Sequence, residues 1–321
     1  FRSQETLSLI DQGLEDISFS RPKSSLSWGV PVPGDNDQTM YVWCDALTNY
    51  ISGLGYLTDR EDRTYWDEAE VTHVIGKDIA RFHALYWPAM LKNAGLKVPP
   101  PHRLLIHGFL TSEGQKMSKS VGNVVVPNDV IGKFGVDPLR FYLSHEVPVG
   151  RDGDFSWDRF RKLYDAKLRN ELGNLLNRVL VLLQKDGGEI AVPSQAAITD
   201  AKRWETYEQS MNTFDLFNAL GEAMISVREC NEYIDREKPW GKEGEEKRTI
   251  LGVLAENLRL IALMLLPFIP ETAQRMSTQL GVSYAETMGE KAFVLGERKV
   301  WGSEKGWKNV GEAEILFLEV E

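Results

Sequence analysis

Two lysines three residues apart, Lys116 and Lys119, stand beside Met117, Ser118, Ser120 and Gly122 in the stretch GQKMSKSVGN. Packing a core asks for nothing of the kind. Two ammonium groups on flexible stems can hold the phosphates of a nucleotide and follow negative charge onto a departing pyrophosphate. The small residues let the chain approach an anion closely and add hydroxyl and amide donors. A solvated lysine turn has the same composition, because charged runs usually face water.

Three other groups could do chemistry. In "GKD", Gly76 and Asp78 close an expected strand and open an expected helix. The glycine allows close approach to a ribose and the carboxylate can accept from its hydroxyls, although an ordinary helix start fits equally. Trp43, Ala46 and Tyr50 are spaced as if around a strand end and its following turn, and Ile79, Phe82 and His83 share one stretch of the next helix. Aromatic walls suit a thioether, at ~0.3–1.5 kcal/mol per sulfur–ring contact, but each ring read singly is also ordinary core. Asn174 and Arg178, four apart, share a helical face. Trp240 follows Pro239, which must end the preceding helix. A tryptophan there could stack on an unpaired base and the Asn–Arg pair could read base edges; a packed ring and a surface pair remain open.

The elements that must position these residues fall into two kinds. "MYVWCDAL" (Met40–Leu47), "VTHVIGKD" (Val71–Asp78, breaking at Gly76) and "RLLIHGFL" (Arg103–Leu110) read as apolar strands buried on both faces, with a helix over "IARFHALYWPAMLKNAG" between the last two. Strand, helix, strand predicts a parallel sheet, and the lysine loop is expected just beyond its carboxyl edge. After Val126 the pattern turns helical. "DPLRFYLSH" offers Asp137 as N-cap and Pro138 as first helical residue. A long helix is predicted from Ser156 to Gly187-Gly188, then helices over about 198–211, 214–236 and 246–265, and a shorter one after Pro270. "KAFVL" and "EILFLEV" near the end read as strands or a loosely ordered tail.

The 321 residues, 42% hydrophobic and 26% charged, suit two globular domains with a connector. No apolar run is long enough to cross a membrane; "LRLIALMLLPFIP" reads as a buried helix. Two cysteines, Cys44 and Cys230, exclude a disulfide framework and a four-cysteine zinc site and fit a reducing compartment. A net charge of −10 argues against a surface that coats nucleic acid broadly, while leaving room for local basic patches.

KMSKS at Lys116–Ser120, together with "YVWCDALTNYI", "HVIGKDIARFHALYWPAML", "HGFLTSEGQKMSKSVGN" and "FGVDPLRFYL", closely resembles the methionyl-tRNA synthetase family of class I aminoacyl-tRNA synthetases, from about Leu14 to about Gly281. The resemblance implies ATP-dependent activation of methionine to methionyl-adenylate and transfer to tRNA(Met) in the cytoplasm. By it, Lys116 and Lys119 serve catalysis. With Met117, Ser118 and Ser120 they bind ATP, joined by Arg21, Gly76, Asp78, His107 and Gly108. Trp43, Ala46, Tyr50, Ile79, Phe82 and His83 line the methionine pocket, and Asn174, Arg178 and Trp240 contact the CAU anticodon. Magnesium is expected with ATP, and no zinc or other metal site is expected in this chain. A synthetase for another apolar amino acid is the near rival, against which the Trp43, Tyr50 and His83 set speaks.

The family's other ATP signature, the HIGH-type motif, has no counterpart here, nor does the inserted domain that bears zinc in many members. The chain also opens on Phe1. The expected architecture is α/β plus all-α: the second half of a Rossmann-type catalytic domain (1–110), the KMSKS loop and connector (111–155), and a helical anticodon-binding bundle with a C-terminal tail (156–321). On this expectation the chain begins inside a longer one or is one half of a split synthetase, with the missing half a possible partner. A non-catalytic tRNA-binding fragment is the alternative.

Overall fold

A computed structural model describes residues 2–59, 64–99, 102–194, 198–282, 295–304, 307 and 310–320, and the chain divides into two compact units, Phe1–Phe109 and Leu110–Glu321.

The first unit opens with helix α1 (Arg2–Asp11), followed by a small antiparallel sheet of β1 (Ser20–Pro22), β2 (Pro31–Val32) and β3 (Asp35–Met40), in the order β1-β3-β2. Helix α2 (Val42–Ser52) and the short α3 (Thr64–Asp67) lead into β4 (Val71–Gly76). A helical run then passes through a 3-10 turn (Lys77–Ile79), a π-helical stretch (Phe82–Tyr86) and α4 (Trp87–Asn93) before β5 (His102–His107), which pairs with β4 in parallel. Leu47, Ile51, Trp66, Trp87 and Leu91 form the core.

The strand expected over Met40–Leu47 is not there. β3 ends at Met40, and Tyr41, extended at φ −69° and ψ 136°, opens α2. The apolar run is buried at helical spacing, through Leu47 and Ile51, whereas Val42 faces outward. A short apolar run does not distinguish the two periods. The third expected strand also stops early, at His107 rather than Leu110. β4 is not buried on both faces either: His73 and Ile75 point inward while Val74 is 65% exposed. The π-helical stretch was not foreseen. Pro88 lacks an N–H for the Ala84 carbonyl, and Trp87 donates instead to the Phe82 carbonyl, five residues back.

The second unit begins with β6 (Leu110–Ser112) and β7 (Gln115–Lys116), an antiparallel hairpin, and β8 (Gly153–Phe155), parallel to β6. Between them lie α5 (Pro127–Phe134) and α6 (Val136–Glu146). One long helical rod follows: α7 (Trp157–Leu163), a π-helical stretch (Tyr164–Gly173) and α8 (Asn174–Lys185). Ser156 caps its start, and Gly187 and Gly188, both at positive φ, end it. Helices α9 (Ala201–Asn212), α10 (Leu216–Glu237), α11 (Gly244–Leu265), α12 (Pro270–Gln279) and α13 (Leu295–Arg298) complete the bundle. α11 is buried all round from Ile250 to Leu265. Val130, Phe134, Phe141, Tyr142 and Phe155 share this core, so the connector packs with the bundle rather than standing apart.

Two expectations are corrected here. Gly135, at φ +90°, precedes α6, so Asp137 is not its N-cap and lies inside the first turn together with Pro138. The buried Asp137 carboxylate instead accepts the Thr272 N–H at 2.6 Å, capping α12 from a distance, while Arg140 donates to the Pro267 and Phe268 carbonyls. Asp137→Ala is therefore expected to cost roughly 0.5–2 kcal/mol, the loss of a helix cap, read as a lower urea midpoint for the second unit. Residues 314–320 of the tail form no strand and are packed on the bundle rather than loose. Leu316 and Phe317 are buried, Tyr164 donates to the Leu318 carbonyl at 2.7 Å, and Arg275 donates to the carbonyls of Ile315 and Leu316. Of "KAFVL", residues 291–294 lie outside the described residues, and Leu295 opens α13.

Candidate functional site

The predicted methionine-pocket residues gather on two helical segments of the first unit. Trp43, Ala46 and Tyr50 lie on α2 at i, i+3 and i+7, which puts them on one helical face rather than around a strand end. Phe82 and His83 occupy the π-helical stretch, and Ile79 ends the turn before it. The Trp43 and Phe82 rings stack at 4.3 Å between centroids, and the Tyr50 hydroxyl lies 2.8 Å from His83 Nε2. His83 Nδ1 is 3.0 Å from the Ile79 carbonyl, which can only accept, so Nδ1 carries a hydrogen. In the neutral ring Nε2 then accepts from Tyr50, whose hydroxyl burial holds in its protonated form by raising its pKa. Ala46, small and exposed, leaves that face of α2 open.

His73, absent from the sequence-based set, belongs with this group. Its buried ring meets Tyr50 edge-on at 4.4 Å and lies 5.4 Å from His83. The signal was available, because His73 shares a strand face with buried Ile75 at period two.

Of the predicted nucleotide residues of this unit, Gly76, Asp78, His107 and Gly108 sit at the carboxyl ends of the parallel strands, where Gly76 pairs with His107. The Asp78 carboxylate folds back over the glycine. A Cβ on Gly76 would lie 2.8 Å from Asp78 Oδ1 and 3.8 Å from the His107 ring, so any larger residue would push this carboxylate away. His107 Nδ1 is within 2.9 Å of the Gly108 carbonyl, and Gly108 is buried. Arg21 lies on β1, its guanidinium 4.1 Å from the centre of the Tyr41 ring, which in turn is tilted against Phe82 at 6.5 Å.

The lysine segment belongs to the second unit. Lys116 is the last residue of β7, so the loop leaves a hairpin of the small β7-β6-β8 sheet rather than the end of β5. The hairpin turns on Glu113 (φ 50°) and Gly114 (φ 73°), the two-residue left-handed turn that matches strand twist. Asp154 anchors it, accepting from the Thr111 hydroxyl at 2.6 Å and the Gly114 N–H at 2.8 Å. The Thr111 hydrogen bond in particular holds the Asp154 carboxyl below its usual range, so this anchor persists until pH falls below ordinary carboxylate values. Lys116 and Lys119 are exposed, and among the described residues neither is in an ion pair. The side chain of Met117 packs against the unit's core, and the Ser118 and Ser120 hydroxyls are 2.7 Å apart.

In the same unit, Asn174 and Arg178 share one face of α8. The Arg178 guanidinium sits 5.7 Å from the centre of the Trp240 ring, which is 54% exposed. Asp235 holds Arg178 through a 2.7 Å ion pair. Lys238, left-handed at φ 47°, ends α10 and turns the chain so that Trp240 faces solvent. The lysine loop thus leaves the β6–β7 hairpin, while the Asn174–Arg178–Trp240 face is carried by α8 and the turn after α10.

The family described as "tRNA synthetases class I (M)" matches residues 2–180, and "Anticodon-binding domain of tRNA ligase" matches residues 201–317. The chain belongs to the methionyl-tRNA synthetase family. It combines part of the class I synthetase catalytic domain with the anticodon-binding domain. A methionine–tRNA ligase of Brucella suis is 42% identical over 88% of this chain and 56% of its own length, and that of Fusobacterium nucleatum is 38% identical over 100% and 51%. A crystal structure of the Mycobacterium tuberculosis methionyl-tRNA synthetase bound by methionyl-adenylate superposes with a TM-score of 0.80 at 35% identity, over 99% of this chain and 63% of that one. This chain thus spans about half to two thirds of the length of the synthetases it matches. No helix among the described residues is long and apolar enough to cross a membrane.

Proposed function

We propose that the chain is the methionine-, nucleotide- and anticodon-binding part of a cytoplasmic methionine–tRNA ligase. The observation that carries this reading is the box of Trp43, Phe82, Tyr50 and His83, in which stacked rings offer a polarizable wall and a hydroxyl–imidazole pair closes one side. Gly76, Asp78, His107, Gly108 and Arg21 bind the nucleoside of ATP; Lys116 and Lys119, with Met117, Ser118 and Ser120, bind its phosphates. The methionine carboxylate attacks the α-phosphate, the bond to the β-phosphate breaks, and pyrophosphate leaves with its charge met by the lysines. The ribose end of tRNA(Met) then takes the methionyl group and releases AMP. No side chain of this chain acts as a covalent nucleophile, so catalysis is positioning and charge stabilisation. Magnesium enters bound to ATP. Its anionic ligands would be the ATP phosphates, as is usual for this hard cation.

In an active preparation, Lys119→Ala is expected to slow single-turnover adenylate formation about tenfold or more, with the methionine KM nearly unchanged, because each ~1.4 kcal/mol of lost transition-state stabilisation is a factor of ten. A normal rate removes Lys119 from the mechanism. Pyrophosphate exchange driven by another apolar amino acid in place of methionine would sink the substrate assignment.

The second reading is one half of a split synthetase or a tRNA-binding fragment without catalysis; the observation that favours it is that β4 and β5 pair only with each other among the described residues, with Val74 exposed. Exchange that appears only when the remaining part of a synthetase is added distinguishes a half enzyme from a fragment that binds tRNA alone.

A further inference from the structure

The β6–β7 ladder ends where Thr111 pairs with Lys116, and beyond that point no strand among the described residues supports the chain that carries Lys119. Asn123 takes over. Its Oδ1 accepts the Ser118 N–H at 2.9 Å and its Nδ2 donates to the Lys116 carbonyl at 3.1 Å. One planar amide thus serves an acceptor and a donor on either side of Met117, as a peptide group of a neighbouring strand would. Aspartate has no hydrogen to give the carbonyl, and a serine or threonine hydroxyl could not span both groups.

The rest of the loop brings Asn123 to this position. The Val121 and Gly122 N–H groups both donate to the Ser118 carbonyl, and Gly122 at φ +73° reverses the chain. Inside the resulting ring Met117 packs on the core; outside it Lys116 and Lys119 face solvent. Asp154 holds the base of the hairpin independently, so the loop is tied at both ends.

We infer that Asn123 is a positioning residue: its amide clasps the loop in one conformation, and the rate of adenylate formation depends on that clasp through Lys116 and Lys119. This rests on the reading of the lysines as the phosphate-binding groups of ATP. An unclasped loop must order its backbone at the moment of reaction, and the lost freedom is charged against the rate.

The test has two arms. In residues 1–321 as purified, Asn123→Ala is expected to speed hydrogen exchange of the Ser118 amide by about tenfold while the amides of α11 keep their protection. Unchanged exchange at Ser118 overturns the clasp. The second arm reads single-turnover activation in a preparation whose wild type makes methionyl-adenylate. Asn123→Ala and Asn123→Asp are both expected to slow the step about fivefold or more with the methionine KM within about twofold. In a background with Lys116→Ala and Lys119→Ala together, Asn123→Ala should add less than about twofold, because the groups it positions are already gone. A normal rate for the single variants, or losses that multiply in the combined variant, overturns the inference. If the chain supplemented with the remaining part of a synthetase activates no methionine, the functional reading is refuted instead, and the clasp is then judged by Ser118 exchange alone.

Discussion

Residues 1–321 assayed alone are expected to give no methionine-dependent ATP–pyrophosphate exchange, and to gain it when the remaining part of a methionyl-tRNA synthetase is supplied in trans. The physical ground is the state of the parallel sheet. β4 and β5 pair only with each other among the described residues, and Val74 of β4 is 65% exposed. Parallel strands are normally covered on both faces, and a bare apolar face is a surface for further packing or for aggregation. The box of Trp43, Phe82, Tyr50 and His83 stands on α2 and the helical run that adjoin this sheet, so its geometry depends on the same support. The second unit, with its own continuous core, should fold regardless. The measurement is exchange by the purified chain, then by the mixture, with size-exclusion chromatography to detect the complex. Robust exchange by the chain alone defeats this expectation; exchange that appears only on mixing identifies a half enzyme.

Trp240→Ala should weaken binding of a CAU anticodon stem-loop to the chain by about 5- to 150-fold, the loss of one stacked base at ~1–3 kcal/mol. More than half of the ring is exposed, and Arg178 approaches it at 5.7 Å, so truncation removes a platform without opening the core. Thermal stability should stay nearly constant. Because Trp240 and the methionine box lie in different units, methionine activation in an active preparation should be untouched. A fall in melting temperature, or exchange that drops in step with aminoacylation, would reassign Trp240 to a packing role. Stem-loops with altered anticodons supply the control: their weak binding should not change with the tryptophan.

Asp137 shows where sequence reasoning went astray. An aspartate followed by proline is a sound signal for a helix start, and a helix does begin there, yet the carboxylate serves α12, 135 residues further along the chain. Met40–Leu47 failed for a different reason: eight apolar-rich residues satisfy strand and helix periods alike until the partner that buries Leu47 and Ile51 is known. Trp43, Tyr50, Phe82 and His83 do meet, but on a helical face of α2 and the π-helical stretch rather than around the end of the expected strand. His73 was missed although it sits on the buried face of a correctly predicted strand.

By itself the sequence determined what depends on chemistry within a few residues. Proline and glycine punctuate the long rod and the turn before Trp240, Gly76 ends β4, and the lysines stand on an exposed loop. Backbone freedom and missing N–H groups act locally, so these features are legible in one dimension. Only the tertiary structure decided which side chains meet. It laid the Trp43 ring on Phe82, sent Asp137 to a distant helix, docked Leu316 and Phe317 against the bundle, and brought the Asn123 amide back to Lys116 and Ser118. Those contacts are set by packing and by the need to satisfy polar groups wherever the fold leaves them, and neither is written in the spacing of residues along the chain.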